Sequence, residues 1–242
     1  MKSINSSGRK RFEETRWTLI GALGEPQGIR RTRALEEFCR IYWYPLYHFA
    51  RRKGYSPVDS EDLTQALFEK LLAGDALKRL ESEKGRVRSF LLRSFSNLMA
   101  SEWQRKSSPR RGGGLPHIPL DIGTAETRFQ AEPAGSSTPE QDYERHWVCT
   151  LLLRASSQLE EEFRDSGRDE LYTVLSPCLG GSTETGYADL AERLGMTVGA
   201  IKVSVHRMRK RYRTLLVREI SLTVPAPEDV VSEISHILRI FQ

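Results

Sequence analysis

The chain has 242 residues, 38% of them hydrophobic, with 37 Lys and Arg against 32 Asp and Glu and a net charge of +5. That is room for one large or two small domains, and no stretch approaches the roughly 18 apolar residues a membrane span needs. Cys39, Cys149 and Cys178 are far apart, with no CxxC pair and no nearby histidine pair, so neither a disulfide framework nor a zinc site follows.

Nearly every periodic segment is helical, and no convincing alternating strand is present. The expected fold is therefore all-α: two small helical domains joined by a flexible linker. The opening MKSINSSGRKRF is basic without an apolar run behind it, unlike a secretory signal, so a soluble cytoplasmic protein with reduced thiols is expected. Thr15 to Leu23 reads as a short amphipathic helix. Arg31 to Lys53 reads as a long one with an aromatic face (Phe38, Tyr42, Trp43, Leu46, Phe49), kinked or broken at Pro45. Ser60 to Ala73 restarts after Gly54 and Pro57, with Glu61 and Asp62 in its first turn. A short helix follows near Asp75 to Leu80, and Val87 to Lys106 carries Phe90, Leu91, Phe95, Leu98 and Trp103. Residues 108–138 hold Gly- and Pro-rich punctuation (RRGGG, Pro116, Pro119, Pro133) and read as the linker between a first domain, 1–107, and a second, 139–220. Residues 221–242 form an extension, with Pro227 to Ile240 as an amphipathic helix presenting Val230, Ile234, Ile237 and Leu238.

Residues 187–212, YADLAERLGMTVGAIKVSVHRMRKRY, read as a helix, a tight turn and a second, basic helix. Leu190, Ala191 and Leu194 face inward on the first helix, Gly195 turns the chain, and Thr197 caps the second. Val198, Ile201, Val205 and Met208 form its buried stripe, leaving Lys202, His206, Arg209 and Lys210 on the other surface. Six Lys and Arg lie between Lys202 and Arg213 with no acid among them. A solvated face usually mixes signs, whereas a run of one sign suits phosphate contacts. A second basic stretch, from Lys84 to Arg111, has eight basic residues against Glu102 alone. Two separate cationic surfaces fit a polyanion held at two places; a basic helix in an ordinary bundle and two unrelated solvated faces are the plainer readings.

With these segments in hand, the chain resembles the extracytoplasmic-function group of the sigma-70 family. DSEDLTQALFEKLL (Asp59 to Leu72) is similar to region 2.2, VRSFLLRSFSNLMASEWQRK (Val87 to Lys106) to regions 2.3 and 2.4, and residues 187–212 to region 4.2, in the same order and separation. VRSFLL, RRGGG and the long stretch before the helix-turn-helix are similar to a subgroup common in planctomycete-like bacteria.

The resemblance implies a promoter-specificity subunit that binds core RNA polymerase, recognises −35 and −10 elements in double-stranded promoter DNA, and holds the melted −10 strand. Polymerase contact would fall to Asp62, Gln65, Phe68 and Glu69, with Phe68 alternatively a core aromatic. The −10 element would meet Arg86, Arg88, Arg93, Asn97, Trp103 and Arg105, which combine cations with a stacking surface; Trp103 is alternatively a core anchor. The −35 element would meet Thr197, Gly199 and the helix N-terminus, with Lys202, Val203, Ser204 and His206 at base edges and Arg207, Arg209 and Lys210 at phosphates. The family often carries Arg where Ser204 stands, so a bidentate guanine reader is absent, while Val203 suits a thymine methyl.

The rival reading is a free-standing dimeric helix-turn-helix regulator, with Pro227 to Ile240 as its dimer face. The extension is otherwise a self-inhibitory or partner-binding helix, or a cap on the second domain's core; an anti-sigma factor is a further candidate partner. An enzyme is not expected: no glycine-rich phosphate loop, paired carboxylates or Cys–His arrangement is visible, and His48, His117, His146, His206 and His236 are scattered. No cofactor or metal is expected.

Overall fold

The computed structural model describes residues 18–23, 28–73, 86–105, 122–132, 136–180, 186–224 and 229–241. Among them it is all-α, as expected. The helices are α1 (Thr18–Leu23), α2 (Ile29–Arg52), α3 (Pro57–Ala73), α4 (Val87–Arg105), α5 (Ile122–Ala131), α6 (Pro139–Asp165), α7 (Asp169–Leu175), α8 (Tyr187–Arg193), α9 (Val198–Ser221) and α10 (Asp229–Ile240), with a 3-10 turn at Ser176–Gly180. The expected helix at Asp75 to Leu80 and the loop after it lie outside the described residues. None of the described helices is long and apolar enough to cross a membrane.

The chain divides into two compact units, Met1–Val148 with Ser221–Gln242, and Cys149–Ile220. The division expected after residue 138 falls instead inside α6, and the C-terminal extension belongs to the first unit rather than capping the second.

In the first unit α2 supplies the core. Tyr42, Leu46, Tyr47 and Phe49 are at most 1% exposed, and α2 runs through Pro45 without the expected break. A proline inside a helix costs about 3 kcal/mol. Full burial of a large apolar side chain returns about 1.5–3 kcal/mol, so the neighbours of Pro45 offset the cost together. Phe38 meets Phe68 of α3 edge-on at 5.8 Å, and Phe49 packs on Phe95 of α4 at 6.2 Å and on Tyr143 of α6 at 6.3 Å.

The segment expected to be a linker is ordered at α5. Glu126 draws it onto α2: Tyr47 Oη donates to Glu126 Oε2 at 2.6 Å, and Arg51 donates Nε and Nη2 to its two oxygens at 3.0 and 2.9 Å. The Arg51 guanidinium also lies 4.7 Å from the Phe129 ring centroid. The Arg51 hydrogen bonds hold the Glu126 carboxyl below the usual carboxylate range.

The second unit encloses a small core of Ala155, Leu159, Leu175, Ile201, Val205 and Met208 with Leu190 and Ala191. Glu219 fastens α9 to α6, accepting from Arg154 Nε and Gln158 Nε2, both at 2.6 Å. Between α8 and α9 the chain reverses at Gly195 (φ 61°). There Met196 N donates to Ala191 O at 2.9 Å and Gly195 N to Glu192 O at 3.1 Å, the paired bonds of a left-handed helix cap. A Cβ at Gly195 would meet nothing within 4 Å. The cost of a side chain is therefore backbone strain alone, about 1–2 kcal/mol for a non-glycine residue in this region. Gly195→Ala should lower the stability of the second unit by about 1 kcal/mol in urea unfolding, and Gly195→Val by about 2 kcal/mol.

Candidate nucleic-acid interface

The second helix of the helix-turn-helix, α9, is organised by its cap and its core. Thr197 Oγ1 accepts from Ala200 N at 3.2 Å, the N-cap bond expected of it. Ile201, Val205 and Met208 are at most 2% exposed, whereas Val198, expected on the same stripe, is 40% exposed. Val198 sits in the first turn, before the helix reaches its packing partners. The opposite face follows from the period of 3.6 residues. Gly199, Lys202, Val203, His206, Arg207, Lys210 and Arg213 are all exposed. Val203, His206 and Lys210 recur at i, i+3 and i+7 along the centre of that face.

Two residues depart from the expected pattern. Arg209 turns inward, donating Nε and Nη2 to Cys178 O at 2.9 and 2.7 Å. It satisfies the carbonyl of the 3-10 turn and is removed from the phosphate-binding set. Ser204 is half-buried. Arg211 is engaged by Glu162 through both of its forks. Lys202, Val203, His206, Arg207, Lys210 and Arg213 therefore make up the accessible, largely cationic face, with Thr197 and Gly199 at its N-terminal end.

On the first unit, α4 exposes Arg93 and Asn97, one helical turn apart, with Ser89 and Ser96 beside them. Trp103 and Arg105 belong to the last turn of α4. Arg88 does not join this face. Its side chain is 3% exposed and is ion-paired to Glu233 of α10 and to Glu144 of α6, the latter at 3.5 Å. Its guanidinium lies 4.7 Å from the Trp147 ring centroid, and its backbone carbonyl accepts from Tyr143 Oη at 3.1 Å. Burial lowers the Arg88 pKa from its ordinary value, opposed by the charge of Glu144. Arg88 is thus a buried structural cation, and its place in the −10 set is corrected. Arg86 is half-exposed but ion-paired to Glu233 at 3.0 Å.

On α3, Asp62 is exposed and Gln65 and Glu69 are half-exposed. Phe68 is 3% exposed against Phe38, which makes it a core aromatic and removes it from the polymerase-contact set.

Sequence reasoning leaves out two features. Glu233 lies at i+3 from Val230 and i−4 from Ile237, an acid on the apolar stripe of α10; that placement is a readable sign of a buried partner. Leu238, expected on the stripe, is 61% exposed. The second feature has no local sign. His48 of α2, Glu132 just after α5 and His146 of α6 come together, with His48 Nε2 2.9 Å and His146 Nε2 3.0 Å from Glu132 Oε2. Desolvation pushes His48 down to about 3 and His146 down to about 4, so both imidazoles are neutral at pH 7.

The sigma-70 region 2 profile matches residues 43–108, which span the second half of α2, α3 and α4. The chain is 26% identical over 188 residues to the ECF RNA polymerase sigma factor SigE of Mycolicibacterium smegmatis, covering 78% of this chain. It spans 63% of the length of that relative. No solved structure is significantly similar to it. The helices of the first unit are thus similar to sigma-70 region 2 over residues 43–108, and most of the chain is similar, at 26% identity, to an extracytoplasmic-function sigma factor.

Proposed function

We propose that the chain is a promoter-specificity subunit: it binds core RNA polymerase and directs initiation at promoters with −35 and −10 elements. The observation that carries this reading is the presence, on one chain, of a region 2 match over α2 to α4 and a separate helix-turn-helix with an exposed basic face. In it, Asp62, Gln65 and Glu69 of α3 meet polymerase. Arg86, Arg93, Asn97, Trp103 and Arg105 serve the −10 element, where unstacked bases need a surface and the backbone needs cations. On α9, Lys202, Val203 and His206 face base edges, Arg207 and Lys210 face phosphates, and Thr197 and Gly199 lie at the N-terminal approach. None of these steps calls for a catalytic group; the chemistry of RNA synthesis belongs to polymerase.

The test is run-off transcription with purified core polymerase over a genomic library, with the 5′ ends sequenced. Transcripts should start at a defined distance from two shared elements, and only when chain and core are both present. A palindromic footprint made by the chain alone, with no core-dependent transcript, would replace this reading with that of a dimeric regulator.

A further inference from the structure

The histidine–glutamate cluster of the first unit shares no residue with the proposed −10 or −35 sets. Its ligand-type atoms all lie within 4.8 Å of one another. They come from positions 48, 132 and 146, three separate stretches of chain, so their convergence is a product of the fold. The two ring centroids are 3.9 Å apart, and both Nε2 atoms point at one carboxylate oxygen rather than at separate acceptors.

From this convergence we propose that His48, Glu132 and His146 form a divalent-metal site, best suited to Zn2+, that fastens the end of α5 to α2 and α6.

The donor set fits. Two imidazole nitrogens and a carboxylate oxygen suit zinc better than the oxygen-seeking Mg2+ or Ca2+. Three protein ligands leave a fourth position for water, as in other His2Glu zinc sites. Bonds of about 2.0–2.1 Å in a tetrahedron set neighbouring ligand atoms roughly 3.3 Å apart. The observed 2.9 and 3.0 Å are shorter by a few tenths of an ångström, which small ring movements supply.

On the carboxylate side the surroundings also match a supported site. Tyr44 Oη donates to Glu132 Oε1 at 3.0 Å, which orients the carboxylate and leaves Oε2 for the ion. Arg128 approaches the same Oε1 at 3.5 Å and covers the Tyr44 ring at 3.9 Å. Asp142, one turn before His146 on α6, is committed to Arg52 at 2.7 Å and to Ser137. Its negative charge bears on both rings, against the positive charges of Arg52, Arg128 and Arg145. The acid after a proline- and glycine-rich stretch would thus be held by an ion as well as by hydrogen bonds.

The experiment uses the full chain, stripped with a chelator and titrated with Zn2+ by calorimetry and with Co2+ by visible absorption. One equivalent of either ion should bind, with the intense ligand-field bands of four-coordinate cobalt. At a hundredfold excess over Kd, Zn2+ should raise the Tm by about 5–10 °C, and chelator should reverse the shift. Glu132→Gln, which keeps the shape of the side chain, and His146→Asn should abolish the cobalt bands. Tyr44→Phe retains every ligand and should weaken binding by about 10–100-fold. If either ligand variant fails to fold, the other and Tyr44→Phe still decide. No stoichiometric binding, or binding unchanged in folded Glu132→Gln and Tyr44→Phe, would overturn the site and leave a hydrogen-bonded triad. Neither result bears on core-dependent transcription, so this proposal and the promoter reading fail separately.

Discussion

Glu233→Ala is expected to destabilise the first unit by about 3–5 kcal/mol, the usual cost of removing one partner from a buried ion pair. The Glu233 side chain is 0% exposed and that of Arg88 3%. Removing the carboxylate leaves the Arg88 guanidinium covered by protein, with Glu144 at 3.5 Å and the Trp147 ring at 4.7 Å as its remaining support. Arg86, whose side chain is 39% exposed, turns to water at little cost. Two companion variants separate charge from packing. Arg88→Met with Glu233→Leu removes both charges and keeps apolar volume, and such exchanges are often neutral or stabilising; it should recover most of the loss. Truncation after Val224 opens Arg88 to solvent. It should cost only the apolar burial of α10 and so destabilise less than the single Glu233→Ala change. Urea unfolding read by far-UV circular dichroism checks all three, with an unchanged m-value for the point variants. A loss below 1 kcal/mol for Glu233→Ala would mean that water reaches Arg88 and that the pair is not buried in solution.

The contrast between Arg88 and α9 shows which parts of the fold are legible in one dimension. Ile201, Val205 and Met208 are buried as their spacing predicts, and Thr197 caps α9 as its side chain allows. These features depend on neighbours within a few residues, where helical period and capping chemistry decide. Pro45 shows a local rule losing to packing: flanking side chains are almost wholly buried, and their summed transfer energy exceeds the proline penalty. Arg88 and Arg209 show the other limit. Each looks like an ordinary cation of a basic stretch, yet one answers Glu233, 145 residues away, and the other a carbonyl at Cys178. Composition made residues 108–138 read as a tether, but Glu126 gives α5 a docking point on Tyr47 and Arg51. Long-range polar partners of this kind leave almost no trace in periodicity, because a single acid or arginine fits a solvated face equally well.

For the proposed −35 contact, the salt dependence of binding should sort the residues of α9 by role. With holoenzyme and labelled promoter DNA, Arg207→Ala combined with Lys210→Ala should reduce the slope of log K against log salt by about 2, near 0.9 for each phosphate lost. Between 50 and 200 mM salt the double variant should consequently lose about tenfold less affinity than the parent, while starting weaker on every sequence. Arg207 and Lys210 are both exposed on the accessible face, so neither change should move the melting temperature. Val203→Ala should behave in the opposite way. Val203 is 49% exposed at the centre of that face, and its loss should leave the slope unchanged and relax preference at one base position by about 1 kcal/mol. Arg209→Ala supplies the control that composition alone would misassign. Its guanidinium is spent on Cys178 O, so its removal should lower the stability of the second unit by about 1–3 kcal/mol and leave the salt slope as it was. A slope that falls for Arg209→Ala and holds for the Arg207 and Lys210 pair would place the phosphate contact on the other side of α9 and reverse the assignment of its faces.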